Sequence, residues 1–401
     1  MKRPFAVLFT AIIALSACSM PNMQPGQTPS APATEAANHL TPPPSATPTI
    51  AAEPTATPAP TLSPCDAFVQ ATLEGMTLRE KAAQLFMLAV PAQAGGAFAS
   101  DTQVGGYVLF ADSITTRENT RALTDAITSA CTIAPFIGID EEGGVVSRLA
   151  AAGLPGYVLP PSAAAIGKTN DAANAYNAAY AIGETLTELG INLDFAPVAD
   201  VLSVPSNTAI GTRSYGADAE LVSNMVSAFM RGLDARGILA APKHFPGHGS
   251  VSGDSHDGYV AFLGDDATLN ETAYVPFRRA IAENTAFIMA GHITAPNIDP
   301  SGLPASLSPY FLTDVLRGTL GFEGIIITDA MNMGAIANNY TSAEASVLAL
   351  LAGVDIILMP ADFDAAIAGV LQAVEDSVLT AERLDASVAR ILRVKWEHVV
   401  H

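Results

Sequence analysis

The stretch KHFPGHGSVSGDSH, residues 243–256, holds three of the chain's seven histidines, and Asp254 stands two places before the last of them. Groups of this kind at this density can do two sorts of chemistry. They can ligate a divalent cation, or they can pass protons, because an imidazole changes charge near neutral pH. A plain solvent loop is the third reading. His244 and His248 have the i, i+4 spacing of a helical ligand pair, but Pro246 and Gly247 lie between them and break a helix. No metal is therefore expected. Asp254 and His256 remain as a candidate acid–base pair, in which the carboxylate would orient the ring and stabilise its protonated form.

The elements that position these groups can be read from residue 65 onward. Short apolar runs recur: QLFMLAV (84–90), GYVLF (106–110), PFIGI (135–139), NLDFAPV (192–198), ILAAPK (238–243), AFIMAG (286–291), GIIIT (324–328) and DIILM (355–359). Bounded by Gly, Pro or polar residues, they suit buried parallel strands. Amphipathic stretches lie between most of them, such as DAELVSNMVSAFMRGLDARG and SAEASVLALLAG, and several end at Gly. The alternation predicts an α/β fold, a single (β/α)8 TIM-like barrel spanning 65–401. A doubly wound open sheet is the alternative. The first two strands are the least regular, and their connection is short for a full helix.

A barrel makes its own test, since active-site groups belong just after the strand C-termini. The third run ends at Asp140, the fifth at Lys243 and His244, the sixth at His292 and the seventh at Asp329. Polar residues placed repeatedly at one end of apolar strands are hard to explain as core. Asp200 reads as a structural partner for a basic residue, and His248 as a brace for its loop. His292 could either brace or line the site. Met331 and Met333 are expected to pack around the Asp329 loop, and Trp396 with its helical tail to close the barrel.

Lys2 and Arg3 precede FAVLFTAIIAL, which is too short to span a bilayer. The run ends in LSAC, which resembles a bacterial lipobox. Residues 1–18 are therefore expected to be a lipoprotein signal peptide, with Cys18 lipidated. Residues 19–64 contain twelve prolines among Ala, Thr and Ser. They read as a semi-extended linker that could reach on the order of 100 Å. An extracytoplasmic, lipid-anchored protein would permit a disulfide between Cys65 and Cys131. The net charge of -20 argues against nucleic acid and against electrostatic docking on anionic lipid, so membrane contact is expected through the anchor alone.

Three motifs then point to a family. IDEEGG, KHFPGHGSVSGDSH and ITDAMNMG occur in this order at the ends of strands three, five and seven. The set resembles bacterial β-N-acetylglucosaminidases of glycoside hydrolase family 3, single-domain type, and APVADV, GTRSYG and AGVDIILMP fit as well. The resemblance implies retaining hydrolysis of terminal β-linked N-acetylglucosamine from peptidoglycan- or chitin-derived oligosaccharides, without a cofactor. Asp329 matches the nucleophile, His256 the general acid/base and Asp254 its partner. Asp140, Arg148, Arg213, Lys243 and His244 match residues that hold sugar hydroxyls. The family often has a basic residue where Val145 stands. A monomer is expected. A phosphorylase or β-glucosidase on the same scaffold is the nearer alternative, and a lipid-anchored solute-binding protein the remote one.

Overall fold

Each apolar run contributes a strand, and in the computed structural model, which describes residues 62–92 and 95–400, these eight strands pair in parallel with their neighbours. In chain order they are β1 (Phe86–Ala89), β2 (Gly106–Val108), β3 (Phe136–Ile139), β4 (Leu193–Asp194), β5, β6 (Phe287–Ala290), β7 (Ile325–Thr328) and β8 (Ile357–Leu358). β5 comes in two pieces, Leu239–Ala240 and Lys243–Phe245, on either side of Pro242. The first piece pairs with β4 and the second with β6, so the two together fill one position in the ring. A bridge from Ile327 to Ile356 joins β7 to β8, and β8 pairs with β1. The sheet thus closes on itself as the expected (β/α)8 barrel, and the open sheet is excluded.

Local sequence explains the helices between strands. Asp218 caps Ala219–Asp234 by accepting from the Leu221 amide. Thr341 and Glu344 form a reciprocal capping box at the start of Ser342–Ala352, and Gly353 ends that helix at a φ of 115°. The short β1–β2 connection carries an eight-residue helix, Gly95–Thr102. Inside the barrel the aromatic rings of Phe136 and Phe287 meet edge-on at 5.1 Å. Gly138 on β3 leaves room for Phe195, whose ring would lie 2.8 Å from any Cβ there.

The C-terminal helix, Ala381–His398, seals the N-terminal end of the barrel. Ser387 and Arg390 reach the buried Asp355 just before β8, which also takes Arg317. Trp396 packs on Phe68 of the first helix at 4.9 Å, so the tail closes the barrel as its sequence suggested.

The disulfide expected between Cys65 and Cys131 is not formed, and both are free thiols. Cys131 follows the helix Arg117–Ala130 and turns to the Tyr107 hydroxyl at 3.9 Å. Cys65 opens the first helix, beside Arg393. Each thiol has its own partner on a different layer. Cys18 and the segment up to residue 61 lie outside the described residues.

Candidate active site

Residues that follow β2, β3, β4, β5, β7 and β8 surround a cavity of about 360 Å³ at the C-terminal end of the barrel. Its wall carries Asp140, Glu142, Arg148, Arg213, Lys243, His244, His256 and Asp329. Segments at the ends of β3, β4, β5 and β7, far apart in sequence, thus deliver charged groups to one place.

One side of the cavity is a buried charge lattice. Lys243 places its Nζ 2.6 Å from Asp140 Oδ1 and 2.7 Å from Glu142 Oε1. Arg213 grips Glu142 with Nε and Nη2, both at 2.8 Å. Arg148 completes the set at 3.1 Å from Asp140 and lies over the Phe110 ring. Burial alone would raise the Glu142 carboxyl, but Lys243 and Arg213 bring it down to about 2. Burial works against Asp140 as well, and Lys243 and Arg148 hold it below the usual range. These groups stay charged and fixed, which suits hydrogen bonding to neutral hydroxyls in defined directions.

His244 sits between this lattice and Asp329. Its Nδ1 is 2.7 Å from Asp200 and its Nε2 is 3.4 Å from Arg213 Nη2. A guanidinium only donates, so Nε2 accepts and the proton is on Nδ1. The imidazole is therefore neutral. Burial, with Arg213 and Lys243 nearby, pushes its pKa well below the ordinary histidine value, although Asp329 pulls the other way. Asp200, buried, is raised to about 6.

Asp329 is the residue directly after β7. Its own amide donates to the Ala290 carbonyl of β6, and Oδ1 accepts from the Ala330 amide at 2.8 Å. Burial would raise this carboxyl, but the Ala330 amide and the Lys243 ammonium hold it below the ordinary carboxylate range. It is an ionised, half-buried carboxylate facing the cavity. His292 fixes the loop behind it, donating from Nε2 to the Ala330 carbonyl at 3.1 Å while Nδ1 meets Ser306 at 2.7 Å. It is fully buried, and so braces the Asp329 loop from behind.

The opposite wall is the loop after β5. His256 Nδ1 lies 2.7 Å from Asp254 Oδ1, which also accepts the His256 amide at 2.9 Å. Burial raises the Asp254 carboxyl, but these two bonds outweigh it and keep it low. The His256 side chain is 65% exposed, unlike every other histidine of the site. His248 is buried and bonds Ser255 at 3.1 Å, the bracing role expected of it. Among the described residues no group of three or more His, Cys, Asp or Glu is arranged to hold a metal.

Residues 77–394 match the model of the glycosyl hydrolase family 3 N-terminal domain. The chain belongs to glycosyl hydrolase family 3. Beta-hexosaminidase A of Pseudoalteromonas piscicida is 34% identical over 317 residues, covering 73% of this chain and 53% of the relative. The family 3 β-N-acetylglucosaminidase of Paenibacillus sp. str. FPU-7 superposes with a TM-score of 0.78 at 35% identity, over 81% of this chain and 63% of that one. The β-glucoside phosphorylase BglX also gives 0.78, at 25% identity, over 83% and 61%. The chain thus spans between about half and two thirds of the length of these proteins.

Within the family 3 barrel, the eight site residues proposed from sequence divide cleanly. Asp140, Arg148, Arg213, Lys243, His244, His256 and Asp329 line the cavity, while Asp254 stands behind His256. Val145 is 74% exposed at the tip of the hairpin after β3, away from the lattice. Glu142 was missed. Its signal was alternation, because Asp140 and Glu142 share one face while Glu141 turns away to the Leu149 amide and Tyr157.

Proposed function

We propose that this family 3 protein is a retaining β-N-acetylhexosaminidase that releases terminal β-linked N-acetylglucosamine from peptidoglycan- or chitin-derived oligosaccharides. The observation that carries the reading is an ionised Asp329 facing the cavity that also exposes His256. In the first step an Asp329 oxygen bonds to the anomeric carbon as the glycosidic C–O bond breaks, and His256 gives its proton to the departing oxygen. In the second step His256 takes a proton from water, the water oxygen bonds to the anomeric carbon, and Asp329 leaves. Two displacements return the original configuration. Asp254 orients the ring and compensates its charge when it is protonated. Asp140, Arg148, Arg213, Lys243 and His244 hold the sugar so that the reacting atoms start in line.

Hydrolysis of an aryl N-acetyl-β-glucosaminide, with the first-formed anomer read by NMR, tests the proposal. A β-anomer supports it; no turnover, or an α-anomer, removes it. Comparison with the aryl glucoside separates hexosaminidase from glucosidase. The likeness to BglX favours a second reading, in which phosphate replaces water as acceptor. An imidazole repels incoming phosphate less than a carboxylate would, and sugar 1-phosphate formed when phosphate is supplied marks that reaction. The lipobox at Cys18 and the proline-rich segment support a place outside the cytoplasm on a lipid anchor.

A further inference from the structure

The motif ITDAMNMG ends in Gly334, which neither holds sugar nor moves a proton in the scheme above. Its surroundings give it a role. The Gly334 amide donates to the His256 carbonyl at 3.0 Å, and the Ala335 amide donates to the Ser255 carbonyl at 3.2 Å. Nearby, the Tyr259 hydroxyl donates to the Tyr340 hydroxyl at 3.3 Å. Three bonds therefore join the loop that carries the acid/base to the segment directly after the nucleophile. A Cβ on Gly334 would stand 2.6 Å from the His256 carbonyl oxygen and 3.0 Å from the Asp257 carbonyl carbon. Both are backbone atoms, which cannot swing aside as the end of a flexible side chain can. Close approach is what demands glycine here.

The exposed His256 ring has its own support only through Asp254, two residues away on the same loop. Where that ring stands relative to Asp329 is then set by what holds the loop backbone. We propose that Gly334, with Ala335 and the Tyr259–Tyr340 pair, is a latch that positions His256 for proton transfer. It ties the acid/base to the nucleophile through five residues of one chain segment. The inference rests on the assignment of His256 above. Its consequence is selective: a loosened latch harms the steps that need a proton, because a donor shifted by about 1 Å can lose on the order of 10²-fold.

Gly334→Ala, Tyr259→Phe and His256→Ala, made separately, test this with two substrates, a chitin disaccharide and a dinitrophenyl N-acetyl-β-glucosaminide. For Gly334→Ala, kcat/KM on the disaccharide should fall by about 10²-fold. On the dinitrophenyl glycoside it should fall less than about tenfold, because that leaving group needs little protonation. Azide should accelerate turnover, and adding Gly334→Ala to His256→Ala should change little. Equal losses on both substrates, or full additivity with His256→Ala, overturn the latch. Tyr259→Phe inserts no bulk and should show the same selectivity at a few-fold level. If Gly334→Ala does not fold, an unselective Tyr259→Phe overturns the proposal instead. His256→Ala separates the two claims. If it lacks leaving-group selectivity, the acid/base assignment fails; if it shows selectivity and the latch variants do not, the latch fails.

Discussion

His244 Nδ1 lies 2.7 Å from Asp200 Oδ2, and both residues are buried. Asp200 also accepts the Gly249 amide at 3.3 Å, so it ties the cavity-lining imidazole to the start of the loop that carries His256. Removing it leaves a buried Nδ1–H and a buried amide without partners. Asp200→Ala should destabilise the fold by about 1–3 kcal/mol per orphaned group and raise KM more than it lowers kcat. Thermal unfolding with steady-state kinetics checks this. Unchanged KM would show that His244 does not need its partner to hold the sugar.

Glu142 sets a pH dependence of stability. Its folded pKa of about 2 lies below the ordinary glutamate value of about 4.3. Between those values the unfolded chain binds the proton and the native one does not. The stabilisation is therefore complete above about pH 4.5 and is lost as pH falls toward 2, amounting to about 3 kcal/mol. Glu142→Gln, which leaves Lys243 and Arg213 undercompensated, should cost about 3–5 kcal/mol at pH 7. The difference from wild type in denaturant unfolding should narrow steadily below pH 4.5. A difference that is constant with pH would contradict it. Taking the difference also cancels Asp200, whose raised pKa works in the opposite direction.

His292 braces the Asp329 loop from behind and does not line the cavity. His292→Ala should lower kcat by about 10²-fold with little change in KM, because it frees the Ala330 carbonyl beside Asp329. Pre-steady-state measurement of glycosyl transfer to the enzyme checks it. A change confined to KM would place His292 in substrate binding instead.

The barrel and most of the site were legible because chemistry and fold leave the same mark. An apolar run followed by Asp140, Lys243 or Asp329 says both where a buried strand stops and where a polar group meets solvent. The split of β5 was less visible, since ILAAPK reads as one run and Pro242 interrupts its ladder only through the missing amide. Glu142 was hidden because the next residue, Glu141, is chemically almost identical and only strand geometry separates the two faces. The cysteines misled for another reason. Each stands at the edge of an element, but an edge position does not say which layer the thiol turns toward, and Cys131 turns to Tyr107. The His256 latch was not legible at all, since residues 255–259 and 334–340 meet only in space.

The lipid-anchor proposal has a simple test. Cys18→Ala should move the protein from the membrane fraction to the soluble one while kcat/KM stays the same, because Cys18 precedes the barrel by a long proline-rich segment. A variant that remains with the membrane would argue against lipidation at this cysteine.

The proposed covalent mechanism is tested directly by mass spectrometry of His256→Ala treated with a dinitrophenyl N-acetyl-β-glucosaminide. The leaving group departs without help, but the second step lacks its base, so the glycosyl-enzyme should accumulate. Peptide mapping should place one N-acetylhexosaminyl group on the peptide that contains Asp329, and azide should remove it as the β-glycosyl azide. No adduct while turnover continues, or an adduct on another residue, would contradict the assignment of Asp329 as nucleophile and His256 as acid/base.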